Sequence, residues 1–287
     1  MSNIKLENLE IDGYHLYQDK NNFNFGIDAV LLANFVLREY PIGARITRPY
    51  SRGSANIRQY DEGSTSTHPY DNGIKICDLC SGTLPIPLII YAKSANSKLH
   101  IDAFEIDKDQ VALSNKSILW NKENVHSAKN IDKDINVFNE DIKNIFLDKD
   151  KYKKLYESYD IVTVNPPYNK KGSGLVNLND KIIAARHEIT ITFDEICKVA
   201  NLILKSNKKL YVINQTNRFT EVVETLKKHS FEIKKAAFIH PYIDKPSNLF
   251  IIEAVKSGRA GIKILPPIVV YEKTNVYTES ILKIYGK

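Results

Sequence analysis

Residues 159–168 read YDIVTVNPPY, a β-branched apolar run that ends in two consecutive prolines. The run predicts a buried strand, and the prolines end it because they cannot donate hydrogen bonds to a sheet. Asn165, Pro166, Pro167 and Tyr168 are therefore expected at the carboxyl end of a strand, where open α/β sheets bind their ligands. A carboxamide oxygen, a rigid backbone carbonyl and an aromatic face at that place suit the binding and activation of a planar amine.

Strand and helix signals alternate along most of the chain around this run. The predicted helices are 107–121, 193–205 and 217–229. The predicted strands are 74–79, 99–105, 135–138, 159–164, 209–214, 233–239 and 248–255. Repeated alternation of this kind favours a parallel sheet with helices on both faces, and hence an α/β fold.

The composition is typical of a globular protein in a reducing compartment. Hydrophobic residues make up 43% and charged residues 26% of the 287 residues. No apolar stretch of about eighteen residues occurs and the first residues lack a signal-peptide core, so we expect a cytoplasmic protein with no membrane partner. Three cysteines argue against a disulfide framework. Cys77 and Cys80 lack the second ligand pair that a zinc site needs, so no metal is expected.

Positive charge is concentrated in the C-terminal third of the chain. From residue 201 onward 15 Lys and Arg residues face 7 Asp and Glu residues, a balance of +8, while the whole chain carries +6. Such a basic segment is the pattern expected of a protein that binds a polyanion, because lysine and arginine release counterions from phosphates. The alternative is a solvated, lysine-rich surface.

Three segments are expected along the chain. Residues 1–40 form an N-terminal segment that packs on the core, and residues 76–287 form the main domain with its basic C-terminal third. Residues 41–75 are polar and nearly free of aliphatic side chains over 44–74, which predicts a mobile loop. The arginines of that loop leave a nucleic-acid-binding arm as the alternative.

Acidic residues follow successive predicted strands. The first strand leads into DLCSGTLP at 78–85, a turn with one glycine, Gly82, before a helix. Glu105 ends the second strand and Asp141 follows the third. Strand, glycine turn, helix and then an acid is the order in which doubly wound folds bind nucleotide-like cofactors. Each acid alone is more often a helix cap, but their recurrence next to the Asn165 tetrapeptide favours a site.

This order of motifs resembles the class I S-adenosylmethionine-dependent methyltransferases that act on amino nitrogens. Within this class the sequence most resembles the bacterial tRNA(Val) adenine-N6 methyltransferases, which modify the adenine beside the anticodon. The stretches that carry this resemblance are FNFGIDAVLLA at 23–33, ARHE at 185–188 and GRAGIKILPP at 258–267. It covers nearly the whole chain except the loop at 44–74.

The resemblance implies a Rossmann-like methyltransferase fold of seven strands, six parallel and the last antiparallel, in a monomer that binds S-adenosylmethionine and tRNA. Asp78 and Gly82 would line the methionine end of the cofactor, Glu105 would hold its ribose hydroxyls and Asp141 its adenine amine. The residues expected to fold over the cofactor are those of the N-terminal motif, namely Phe25, Gly26 and Asp28.

The resemblance also implies roles towards the RNA. Asn165 and Pro166 would bind the target amine, and Tyr168 would stack on the target base. The basic side chains expected to contact RNA are Arg186, Arg218, Lys245 and Arg259. For Arg186, within ARHE, a salt-bridge cluster at the start of a helix is an equal alternative.

The cofactor turn departs from the family at Leu84, where a further glycine is usual. A side chain there, followed by Pro85, predicts a narrower pocket or an altered turn. A non-catalytic RNA-binding relative is therefore one alternative function. Two others share the tetrapeptide: protein glutamine methyltransferases, which generally have an additional N-terminal domain, and DNA adenine methyltransferases, for which no target-recognition domain is visible.

Overall fold

The computed structural model describes residues 3–20, 26–40, 73–94, 98–167 and 191–287. Most of the predicted polar loop lies outside these ranges. So do three predicted site residues, Phe25, Tyr168 and Arg186.

The described residues form helices and strands that alternate as predicted. The helices are α1 (Ile27–Glu39), α2 (Pro85–Lys93), α3 (Lys108–Asn124), α4 (Ile131–Asp134), α5 (Asn144–Leu147), α6 (Lys149–Tyr152), α7 (Phe193–Ile203), α8 (Phe219–Lys228) and α9 (Glu279–Ile284). The strands are β1 (Ile4–Asn8), β2 (His15–Asp19), β3 (Ile74–Leu79), β4 (Leu99–Glu105), β5 (Ile135–Asn139), β6 (Tyr159–Val164), β7 (Leu204–Gln215), β8 (Phe231–His240), β9 (Leu249–Lys256), β10 (Lys263–Ile264), β11 (Ile268–Val269), β12 (Tyr271–Lys273) and β13 (Val276–Tyr277).

The central sheet has the spatial order β5-β4-β3-β6-β7-β9-β8. Neighbours among β3, β4, β5, β6 and β7 are parallel, whereas β9 is antiparallel to both β7 and β8. Six strands therefore run in one direction and β9 in the other, which confirms the predicted fold of seven strands. Two short strands that the sequence pattern did not reveal, β10 and β11, extend the sheet beside β8.

Hydrophobic side chains cover both faces of this sheet. Alternate residues of the central strands point to opposite faces, so that Ile76 and Ile161 belong to one buried cluster and Cys77 and Val162 to the other. Helices α1 and α2 contribute to the first cluster, and α7 and α8 to the second. Two layers of helices thus hold the strand ends in fixed positions.

Strand β7 begins five residues earlier than the pattern at 209–214 predicted. Its first part pairs Leu204 with Tyr159, and the register then shifts before Lys209 pairs with Ile161. Asn207 accommodates the extra residues in a left-handed conformation with φ of 59°, which asparagine tolerates better than most residues. Because residues 205–208 are polar, the sequence pattern did not predict this irregular first part of β7.

The N-terminal hairpin β1–β2 packs on helix α3 through polar groups. The side chain of Asn121 accepts from the His15 backbone N–H over 2.9 Å and donates to the His15 carbonyl over 2.6 Å. Ser117 accepts from the Tyr17 backbone N–H over 2.8 Å. Two buried polar side chains of α3 thus replace a neighbouring strand along the edge of β2.

Burial raises the pKa of the Cys77 and Cys80 thiols, so the neutral form is favoured. Neither thiol forms a disulfide. Within the described ranges no cluster of three or more His, Cys, Asp or Glu side chains could hold a metal ion. Helices long and apolar enough to cross a bilayer do not occur among these residues either.

Candidate active site

Four predicted site segments meet at the carboxyl edge of the sheet. Leu79 at the end of β3 lies beside Phe104 of β4 and Val164 of β6, and Phe104 lies beside Phe138 of β5. The residues that follow these strands therefore stand side by side. They are Asp141, Glu105, the turn after Asp78, and Asn165.

Glu105 ties the end of β4 to the glycine turn. One carboxylate oxygen accepts from the Gly82 backbone N–H over 2.8 Å, and the other accepts from the Asp107 backbone N–H over 2.9 Å. Burial raises the pKa of Glu105, while these backbone donors act in the opposite direction. Gly82 has φ of 57°, and a Cβ on it would lie 3.2 Å from the Gln110 side chain. Glycine therefore favours this close approach of the turn to Glu105.

Asp78 places a buried carboxyl group under the same turn. Its Oδ1 accepts from the Thr163 hydroxyl over 2.5 Å. Its Oδ2 and the Ser81 hydroxyl are buried and have no hydrogen-bond partner within the part of the chain that the structure describes. Burial raises the pKa of Asp78 to about 7, and the nearby charge of Glu105 also raises it. Buried acceptors of this kind are expected to bind a polar ligand.

Asp141 lies one strand further along the edge and is partly exposed. Its Oδ1 accepts from the Lys143 backbone N–H over 2.9 Å, and its carboxylate is 3.4 Å from the Lys143 ammonium. Sequence reasoning missed Asn139, which donates to the Glu105 and Ile106 carbonyls over 3.1 and 2.8 Å. Asn139 therefore fixes the end of β5 to the end of β4.

Two exposed apolar side chains near the ends of β4 and β5 were also missed. Ile106 directly follows Glu105, whereas Phe138 on β5 stacks on Phe104, with ring centroids 4.9 Å apart, on the opposite face of the sheet from the Glu105 side chain. An exposed apolar group directly after a buried acid, as at Ile106, provides a wall for a planar ring. The signal in the sequence was an isoleucine directly after the acid at a strand end.

Asn165 forms a direct contact with the N-terminal motif. Its Nδ2 donates to Oδ2 of Asp28 over 3.1 Å. The Asp28 carboxylate is buried in the first turn of α1, where its Oδ1 accepts from the Ala29 backbone N–H over 2.9 Å. Pro166 is buried and Pro167 is exposed. The structure therefore brings Asp28 to the tetrapeptide.

The basic residues predicted to contact RNA lie at different places in the structure. Arg218 follows β7 at the active-site edge, but its guanidinium bonds Glu221 over 2.8 Å and is largely buried. Lys245 lies at the same edge, exposed in the loop between β8 and β9. Arg259 follows β9, which runs in the opposite direction, so it lies at the other edge of the sheet.

A cavity of about 410 Å³ lies at the end of β7 and is lined by uncharged residues. Because β6 and β7 are parallel, with Val164 beside Val212, this cavity is at the same edge of the sheet as Asn165. The cavity walls are joined by a 3.0 Å hydrogen bond from the Thr216 N–H to the Asn248 carbonyl. The lining residues are Gln215, Thr216, Asn217, Ser247, Asn248 and Leu249.

Solved structures with a similar fold include methyltransferases. A predicted O-methyltransferase from Agrobacterium tumefaciens superposes with a TM-score of 0.57 at 17% identity, over 74% of this chain and 88% of that one. The tRNA m1G37 methyltransferase of M. jannaschii superposes with a TM-score of 0.50 at 11% identity, over 90% of this chain and 58% of that one. The chain has the Rossmann-like methyltransferase fold. No protein-family model matches its sequence, and no curated protein sequence matches it.

Leu84 has a backbone conformation that is usual for glycine. It adopts the left-handed conformation that glycine favours, with φ of 78° and ψ of 23°, directly before α2. Its N–H donates to the Ser81 carbonyl over 2.9 Å, which closes the turn. The side chain is fully buried in the cluster formed with α1 and α2. The Leu84 side chain, at the position where the family usually has glycine, therefore packs in the hydrophobic core.

Proposed function

We propose that this protein is an S-adenosylmethionine-dependent methyltransferase that modifies the exocyclic amine of an adenine in tRNA, beside the anticodon of tRNA(Val). The observation that carries the proposal is the position of Asn165. Asn165 follows β6, which lies next to β3 and the buried Asp78 carboxyl, and Glu105 ends β4 on the other side of β3. The methyltransferase fold and the sequence resemblance supply the reaction class and the substrate class.

The residues at the edge fit the cofactor. The buried Asp78 Oδ2 and Ser81 hydroxyl, without partners among the described residues, would accept from the methionine part. Glu105 would hold the ribose hydroxyls, Asp141 would meet the adenine amine, and Ile106 would pack against the ring. When bound, S-adenosylmethionine supplies an electrophilic methyl group, and the electrons of the broken carbon–sulfur bond leave with sulfur.

Asn165 and Pro166 would activate the target amine. The lone pair of an adenine amine is delocalised into the ring, which makes the amine a poor nucleophile. Acceptance of both amine protons by the Asn165 Oδ1 and the Pro166 carbonyl favours a pyramidal nitrogen with an available lone pair. That lone pair forms the new carbon–nitrogen bond, and the surplus proton on nitrogen passes to water. Positioning and fixed dipoles provide the acceleration, so a strong general base is not needed.

The adjacent surface supports a nucleobase as the substrate. Amide and hydroxyl groups line the cavity at the end of β7, at the same edge of the sheet as Asn165, and such groups recognise the edges of unstacked bases in RNA. The target base must leave the anticodon-loop stack, and Tyr168 would hold it by stacking, an interaction of about 1–3 kcal/mol. Lys245 at the same edge would meet RNA phosphates.

Mass spectrometry of tRNA nucleosides tests the function. Unmodified tRNA is incubated with the protein and S-adenosylmethionine, and the nucleosides are compared with a reaction that lacks the cofactor. We expect N6-methyladenosine to appear. Methylation of another nucleoside, of DNA adenine or of protein glutamine, with no product in tRNA, would contradict the proposal.

A further inference from the structure

One hydrogen bond joins the N-terminal motif to the tetrapeptide across 137 positions of sequence. It runs from Asn165 Nδ2 to Asp28 Oδ2 over 3.1 Å. From the sequence we expected Asp28 to fold over the cofactor. In the structure its carboxylate faces the residue that would hold the target amine, which indicates a different role.

The two ends of the Asn165 carboxamide have nearly the same shape but opposite chemistry. The oxygen only accepts hydrogen bonds and the NH₂ group donates them. A target amine has to give a proton to Oδ1 if its lone pair is to stay available. After a half-turn of the group, Nδ2 would donate to that same lone pair and block its attack on the methyl group. The orientation of Asn165 therefore decides whether it assists or inhibits the reaction.

Asp28 can select one of these two orientations. An ionised carboxylate only accepts hydrogen bonds, so the Nδ2 end of Asn165 alone can bond to it. Oδ1 then points away from Asp28, because the two polar atoms diverge from one carbon. We propose that Asp28 is a positioning residue that holds Oδ1 of Asn165 towards the target amine. This inference rests on the function proposed above.

The surroundings of Asp28 keep its carboxylate aimed at Asn165. One oxygen accepts from the Ala29 N–H over 2.9 Å in the first turn of α1, where the helix dipole favours a negative charge. A Cβ on Gly26 would lie 2.8 Å from that oxygen. Gly26 has φ of −100°, which any residue can adopt. The glycine is therefore explained by the space that the Asp28 side chain occupies.

A reciprocal exchange tests the inference. The single variants Asp28→Asn and Asn165→Asp are compared with the double variant that carries both changes. In Asp28→Asn two carboxamides face each other and either end of Asn165 can bond. In Asn165→Asp two carboxylates face each other and repel. In the double variant one carboxamide again faces one carboxylate, and the carboxylate at position 165 accepts from the amine with its second oxygen.

The expected result is rescue in the double variant. Each single change should lower kcat for tRNA methylation about tenfold or more, the scale of a lost charge-assisted hydrogen bond. The double variant should exceed both. In Asp28→Asn the Kd for S-adenosylmethionine, measured by calorimetry, should stay within about twofold of the wild-type value, since positioning acts on kcat rather than on binding.

Two more variants separate positioning from damage to the helix. Gly26→Ala displaces the end of the Asp28 side chain without backbone strain, so it should lower kcat and leave the melting temperature nearly unchanged. Asn34→Ala is the matched control on α1. It removes hydrogen bonds to the Val30 carbonyl and from the Lys93 ammonium, away from Asn165, and should leave kcat unchanged.

Thermal unfolding of the wild-type protein and the three exchange variants provides a readout that needs no substrate. The losses in melting temperature should be non-additive, with the double variant more stable than the sum of single effects predicts. Additive losses in unfolding and in kcat overturn the inference, as does weaker cofactor binding with unchanged kcat in Asp28→Asn. A wild-type protein that methylates no tRNA overturns the proposed function instead, and the unfolding cycle still decides whether Asp28 orients Asn165.

Discussion

At the scale of single residues, Asp78 couples the folded state to pH. The unfolded chain releases this proton near the ordinary pKa of 3.8, whereas burial keeps it on the folded protein up to pH about 7. The folded state therefore loses stability relative to the unfolded state as pH rises from 4 to 7.

We expect Asp78→Asn to remove this loss, because the amide retains an acceptor for the Thr163 hydroxyl and does not titrate. In urea unfolding the variant should gain about 3 kcal/mol relative to the wild type between pH 4 and pH 7, as the pKa shift implies. Parallel stability curves for the two proteins would contradict a raised pKa of Asp78.

The backbone conformation of Leu84 is unfavourable, whereas the burial of its side chain is favourable. A left-handed conformation costs a side-chain-bearing residue about 1–2 kcal/mol, while truncation of a buried leucine to alanine costs about 3–5 kcal/mol. Burial exceeds strain, so the turn tolerates leucine. This balance weakens the argument for a non-catalytic relative, because the side chain lies in the core.

At position 84, glycine should give a more stable protein than alanine, which is the reverse of their usual order of stability. Leu84→Gly and Leu84→Ala leave nearly the same cavity, but only glycine relieves the left-handed backbone, so the Gly variant should be about 1 kcal/mol more stable. Urea unfolding measures the difference. An alanine variant as stable as the glycine variant would show that the turn is not strained.

At the scale of elements, the side chains of Ser117 and Asn121 on α3 bond the hairpin β1–β2, and Asn121 makes two of these bonds. Asn121 is fully buried and bonds both the N–H and the carbonyl of His15. Asn121→Ala should lower the free energy of unfolding by about 2–4 kcal/mol, because two buried backbone groups lose their partner. The control is Asn124→Ala on the same helix, whose exposed side chain donates to the Trp120 carbonyl. Equal losses in both variants would contradict this role of Asn121.

The same elements show what local sequence patterns reveal. Most strands of the central sheet were predicted to within two residues, since their apolar runs are bounded by turns and prolines, whereas β7 begins five residues earlier than predicted. The hairpin β1–β2 was not predicted, because its edge is satisfied by Ser117 and Asn121 of a helix a hundred residues away. The contact between Asp28 and Asn165 was hidden for the same reason. Motifs indicated which residues belong to the site, and only tertiary structure shows which of them touch.

At the scale of the whole molecule, ion pairs account for part of the charge asymmetry. Lys205 and Lys208 both pair with Asp160, over 3.1 and 2.9 Å. Lys256 pairs with Glu157 over 3.1 Å. These acids belong to the part of the sequence before residue 201, so some of the basic excess of the C-terminal third neutralises the rest of the chain. The positive charge that is available to bind RNA phosphates is therefore smaller than the count of charged residues in the sequence indicates.

The whole account depends on Asn165 as the group that binds the target amine. Asn165→Ala removes the acceptor oxygen but leaves the turn at Gly82, Glu105 and Asp78 intact, so cofactor binding should persist. The decisive measurement is the yield of N6-methyladenosine, by nucleoside mass spectrometry, from tRNA treated with the variant and with the wild-type protein.

We predict product with the wild-type protein and none with Asn165→Ala, while calorimetry shows similar affinity for S-adenosylmethionine in both. Near-normal yield of N6-methyladenosine from the variant would contradict the central role of Asn165.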